Sequence, residues 1–94
     1  MGDGGAGAAA AAAAIVKAIK ASGVVVRVGP DDFATLLARA KDALVVHARG
    51  GFFRTKHRYL VSYKGLAFFT QSAEPISLPA HVEWISADKI WVPS

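Results

Sequence analysis

Between Val24 and Ala48 the chain reads strand, helix, strand, and that order limits the folds open to it. Val24-Val25-Val26-Arg27-Val28 is rich in β-branched residues, as expected for a strand buried on both faces. Gly29-Pro30 interrupts it. Pro30 suits the first position of a helix, and Asp31 and Asp32 fall in the first turn, where the helix dipole favours negative charge. Phe33, Leu36, Leu37 and Ala40 then recur at the spacing of one buried helical face, and Arg39 and Lys41 close the last turn with the complementary sign. Ala43 to Ala48 is a second strand. Two strands joined by a helix at this spacing predict a βαβ unit whose strands run parallel.

The next element is a hairpin. Arg58–Tyr63 and Leu66–Gln71 flank Lys64-Gly65, and glycine tolerates the positive φ of a tight turn. A two-residue loop sets Tyr63 opposite Leu66, Val61 opposite Phe68 and Tyr59 opposite Thr70. Tyr59, Val61, Tyr63, Leu66 and Phe68 then share one face. Arg58, Leu60, Ser62, Ala67, Phe69 and Gln71 share the other. A three-residue bulged loop shifts this register by one. Val82–Ile85 and Lys89–Val92 are short strand candidates beyond the loop marked by Pro75 and Pro79, with Trp84 and Trp91 expected to anchor the end of the chain on the core.

Ahead of the βαβ unit, residues 1–7 are expected to form a disordered Gly-rich tail. Residues 8–22 read as a helix, because residues 8–14 are all alanine and Gly23 is a natural stop. Ile15, Ala18, Ile19 and Ser22 lie on one side of it, with Lys17 and Lys20 elsewhere. Residues 8–94 are expected to be one small domain of the α+β class, ordered α-β-α-β-β-β-β. Two helices are too few to cover both faces of such a mixed sheet, so both are placed on one face. Neighbouring strand residues point to opposite faces, so at least one ring of each adjacent pair, Phe52-Phe53 and Phe68-Phe69, is expected on the uncovered face, where either the C-terminal segment folds over it or the rings are exposed. An open apolar face of that kind suits protein–protein contact or a homodimer.

Charge is distributed unevenly. Ala43 to Ala73 contains no acidic residue and carries Arg49, Arg54, Lys56, Arg58 and Lys64, a charge of +5 in a chain whose total is +4. Six of the nine aromatic residues lie in the same stretch. Cations interleaved with rings are the chemistry of an anionic partner, nucleic acid or another polyanion. The expected contacts are Arg54, Lys56, Arg58 and Lys64 for charge, with Tyr59, Tyr63 or Phe69 stacking on bases, each stack contributing about 1–3 kcal/mol. Lys64, Gly65, Ala67 and Phe68 resemble the RNP1 stretch of RNA-recognition motifs. Leu66, Phe69 and Gln71 depart from it, and Val24–Val28 has no aromatic to act as the companion RNP2 strand. The resemblance extends to seven residues and implies a basic hairpin presenting rings rather than membership of that family. A solvated hairpin, whose cations keep an edge strand from aggregating, is the simpler account of the same residues.

Other chemistry finds little footing. The chain has no cysteine, which excludes disulfides and thiolate metal sites and fits a reducing compartment. His47, His57 and His81 are too far apart for the common local zinc spacings, so no metal or cofactor is expected. His47 reads as a strand residue at the rim and His57 as a loop residue. No serine lies in a nucleophile elbow, no Gly-rich phosphate loop is present, and Asp31-Asp32 is explained by the helix start. A non-enzymatic binding module is therefore expected. The alanine stretch is too weakly apolar, and too interrupted by Lys17 and Lys20, for a signal peptide or a membrane span. A cytoplasmic protein with no membrane partner is the expectation.

Overall fold

The computed structural model describes residues 6–41, 43–50 and 53–93. It contains helices α1 (Ala6–Ser22) and α2 (Pro30–Arg39) and strands β1 (Val25–Arg27), β2 (Leu44–Gly50), β3 (Lys56–Tyr63), β4 (Leu66–Ser72) and β5 (Glu83–Ser86). The strands form one mixed sheet in the order β1-β4-β3-β2-β5. The α+β class and the element order are those the sequence predicts. Of the expected tail over residues 1–7, residues 1–5 lie outside the described residues, and Ala6 and Gly7 belong to α1.

The hairpin has the predicted register. Tyr63 pairs with Leu66, Val61 with Phe68 and Tyr59 with Thr70. Lys64 and Gly65 take φ of 51° and 79°, two successive left-handed residues, which is the turn whose twist matches that of the flanking strands. Strand β3 begins at Lys56, so His57, which reads as a loop residue in the sequence, is already in the sheet. Helix α2 starts on Gly29 and Pro30 and buries Phe33 and Leu37 completely, as its spacing predicts. Full burial of a side chain of that size contributes about 1.5–3 kcal/mol.

Strands β1 and β2 do run in the same direction, but they are not neighbours. β1 pairs in parallel with β4, β4 and β3 are antiparallel, and β3 and β2 are antiparallel. The hairpin is therefore inserted between the two strands of the βαβ unit. This puts β1 at a sheet edge, with Val26 and Arg27 exposed, and corrects the expectation of a strand buried on both faces. Lys89–Val92 is not a strand. It crosses the sheet as an irregular segment with Ile90 buried.

The placement of the helices also differs from the sequence reading. Phe33, Leu37 and Ala40 of α2 pack with Val45, Tyr59 and Val61 on one face of the sheet. Ala12 of α1 packs with Val46, Ala48, Leu60 and Phe69 on the other, supported by Ile15, Val16, Ile19, Ile90 and Trp91. The helices lie on opposite faces rather than on one. The reason is in the strands: Val45-Val46, Leu60-Val61 and Phe68-Phe69 are adjacent apolar pairs, so both faces are apolar and each needs a cover. One short helix covers each face with help from an irregular segment, 75–82 beside α2 and 87–93 beside α1. Among the described residues the hairpin rings form no open sheet face: Phe69 is fully buried and Phe68 packs against the α2 side, while Phe53 is exposed in the β2–β3 loop and Phe52 lies outside the described residues. No helix among the described residues is long and apolar enough to cross a membrane.

Candidate anion-binding groove and hairpin tip

The fold divides the predicted binding residues among three environments. Tyr59 and Phe69 are core. Tyr59 is 2% exposed, stacks on His47 at 4.6 Å and accepts a hydrogen bond from the Ile76 amide at 2.8 Å. Phe69 is fully buried, with the Arg27 guanidinium 5.7 Å from its ring centre. Neither ring is available to stack on a base, which corrects their assignment as binding residues. Burial follows from alternation: each lies on a strand face that a helix covers.

Tyr63 and Lys64 lie at the β3–β4 turn. The Lys64 ammonium is 5.3 Å from the Tyr63 ring centre, and both border a hollow of about 470 Å³ with Arg39 and Lys41 from the end of α2. Arg54, Lys56 and Arg58 are at the opposite end of the hairpin. Eight residue steps of strand separate Lys56 from Lys64, roughly 26 Å at the usual rise. The basic block read as one patch is thus two, one at each end of β3.

The end carrying Arg58 is the more extensively built. Arg58 is half-buried on the α1 side of the sheet, and its Nε donates to Gln71 Oε1 at 2.9 Å. A Cβ on Gly50 would approach the Arg58 guanidinium to 3.3 Å, so a glycine in β2 lets this side chain lie across the strand. Arg58 thereby reaches a groove of about 560 Å³ between α1 and the C-terminal segment. Lys17 and Lys20 of α1 and Lys89 join it there, against Asp88 alone among the lining carboxylates. Trp91 forms part of the wall, with the Lys20 ammonium 5.9 Å from its ring centre. Ala13, Val16, Lys17 and Lys20 follow the i, i+3, i+4, i+7 rule, so the groove stripe of α1 runs beside its buried stripe. Lys56 lies two residues before Arg58 and shares its face, extending the cationic line to the exposed tip at Phe53 and Arg54.

Lys17, Lys20, Lys89 and Trp91 were not candidates on sequence. No local run contains them, and they meet Arg58 only through tertiary structure. The single trace was the placing of both α1 lysines off the apolar side of the helix.

On the opposite face, β2 and β3 bring His47 and His57 together, with His47 Nε2 and His57 Nδ1 3.1 Å apart. The rings are 5.3 Å apart and tilted by only 16°. That separation is close to the nitrogen–nitrogen distance plus two ring radii, so the imidazoles meet edge to edge in a shared hydrogen bond. His57 is buried in a strand rather than placed in a loop. Trp84 meets His47 edge-on at 6.2 Å beside a hollow of about 310 Å³. Burial first, then His57 and Arg49, hold the His47 pKa below its usual 6.5. No group of three His, Cys, Asp or Glu that could hold a metal ion occurs among the described residues.

No protein-family model, curated protein or solved structure matches this chain.

Proposed function

We propose that this protein is a non-enzymatic module that captures a polyanion, nucleic acid foremost, along the α1 side of its sheet. The observation that carries this reading is the convergence of Lys17, Lys20, Arg58 and Lys89, from three separate parts of the chain, on one groove with a single carboxylate. Such a cluster concentrates positive potential in a concave surface and attracts a chain of phosphates rather than a neutral ligand. Arg58, fixed by Gln71, contributes a planar fork suited to paired phosphate oxygens, while the lysines act as mobile point charges.

The test is binding of fluorescent oligonucleotides between about 50 and 200 mM salt, where each phosphate contact adds roughly 0.7–0.9 to the slope of log affinity against log salt. Charge reversal at Lys17 and Lys20, both exposed, should lower affinity at least tenfold and flatten that slope by about two contacts. Lys64→Glu, at the far end of the hairpin, should change little. Binding that survives the Lys17/Lys20 reversal would exclude the groove.

A further inference from the structure

We infer that Trp91, in the wall of the groove, is the platform on which an unpaired base stacks, so that the nucleic acid held there is single-stranded. The inference rests on the polyanion reading and narrows it to one form of nucleic acid. The groove is not merely basic. Ala13, Val16, Ile90 and Trp91 give it an apolar wall beside the cations. Phosphates alone have no use for that wall, since ammonium and guanidinium groups hold them. A ligand that uses both brings negative charge and apolar surface into one groove of about 560 Å³. A nucleotide carries both. Trp91 lies two residues beyond Lys89, so one segment supplies a ring and a cation together. The ring is half-buried, and the Lys20 ammonium lies over it, 5.9 Å from its centre. An ammonium stays in water while its stem lies on apolar surface, so the face beneath Lys20 is the one turned to the groove. On the α1 wall, the short side chains of Ala13 and Val16 leave depth for a flat ring.

A base entering over Trp91 displaces the Lys20 ammonium from the ring and frees it for the adjoining phosphate. The ring exchanges a cation for a base, and the cation exchanges a ring for an anion. The setting of Trp91 decides which form of nucleic acid can do this. Its ring is part of a concave wall and does not project, so it cannot wedge between stacked base pairs as intercalating side chains do. The base must come to the ring. In a duplex the base faces are already stacked, whereas in a single strand they are free. A lipid phosphate also joins charge to apolar surface, but an acyl chain gains from enclosure along its length. Here Ala13, Lys17, Lys20, Asp88 and Lys89 are all exposed, and the groove is open. A flat base needs only one face covered.

Four probes test this on the full chain: an oligothymidylate, an abasic deoxyribose-phosphate oligomer of the same length, a duplex, and vesicles of mixed phosphatidylserine and phosphatidylcholine. The wild type should bind the oligothymidylate roughly tenfold more tightly than the abasic oligomer, within the range of one base–aromatic stack. The only other tryptophan, Trp84, is exposed on the opposite face, so Trp84→Phe reads Trp91 fluorescence alone. That signal should be quenched by the oligothymidylate and not by the abasic oligomer or the duplex. Trp91→Leu should erase the preference for bases and keep the salt slope, because no phosphate contact is lost, and Trp91→Phe should retain most of the preference. The wild-type comparison and the quenching decide the matter whether or not Trp91→Leu folds. Equal affinity of the wild type for oligothymidylate and abasic oligomer, with binding still lost on Lys17/Lys20 reversal, would overturn the role of Trp91 and leave the groove standing. Quenching by the duplex as strong as that by oligothymidylate would overturn the single-strand assignment. No binding to any oligonucleotide would overturn this inference and the polyanion reading of nucleic acid together, and vesicle binding in that case would assign the groove to an anionic bilayer.

Discussion

Thr70 occupies a fully buried position in β4, and among the described residues its hydroxyl has no hydrogen-bond partner. A buried, unpaired hydroxyl costs about 1–3 kcal/mol relative to an apolar group of the same shape. Thr70→Val preserves the β-branched outline and should raise the urea midpoint of unfolding, with a gain of about 1 kcal/mol. A lower midpoint would mean the hydroxyl is paired. His47 makes the opposite kind of contribution. Its pKa is held below 6.5 in the fold, by burial first and then by His57 and Arg49. Just below that pH the unfolded chain binds more protons than the folded one, so this residue makes stability fall as pH falls through 6.5. Urea unfolding at about pH 7.5 and about pH 5.5 should show that loss, and His47→Phe, which retains a ring against Tyr59, should reduce it. A loss of the same size in the variant would assign the acid sensitivity elsewhere.

At the level of elements, the β3–β4 turn is the most strictly specified piece of backbone. Gly65 has φ of 79°, where a side chain is strained whatever space surrounds it. Gly65→Ala should therefore cost about 1 kcal/mol or more. Lys64, at φ 51°, is the weaker of the two turn residues, and Lys64→Asn gives the Asn-Gly pair that this turn prefers. Its thermal midpoint should rise while that of Gly65→Ala falls. The same elements show what sequence can reveal. The turn, the register of Tyr59 with Thr70 and the buried face of α2 depend on signals within a few residues, and they were legible. The face chosen by α1, the insertion of the hairpin between β1 and β2, and the meeting of His47 with His57 depend on pairing between distant segments. The adjacent pairs Val45-Val46 and Phe68-Phe69 did record a sheet apolar on both faces. The count of helices obscured it, because irregular segments share the covering.

For the whole molecule, the candidate site followed the same division. Arg54, Lys56 and Arg58 were legible as a charge block. Lys17, Lys20, Lys89 and Trp91 were not, since α1 and the C-terminal segment become neighbours only after the sheet has formed. Tyr59 and Phe69 were assigned to binding because ring and charge alternate in the sequence; the pleat turns those rings inward and leaves Phe53, in a loop, outside. The groove has a mechanical consequence. Its two walls are the first helix of the fold and its last segment, elements joined by the entire sheet between them. A polyanion bridging Lys17 and Lys20 to Lys89 closes the chain into a ring without a covalent bond. Release of either wall then requires release of the ligand, so occupancy should tie fraying of both ends to global unfolding and raise resistance to proteolysis with ligand concentration.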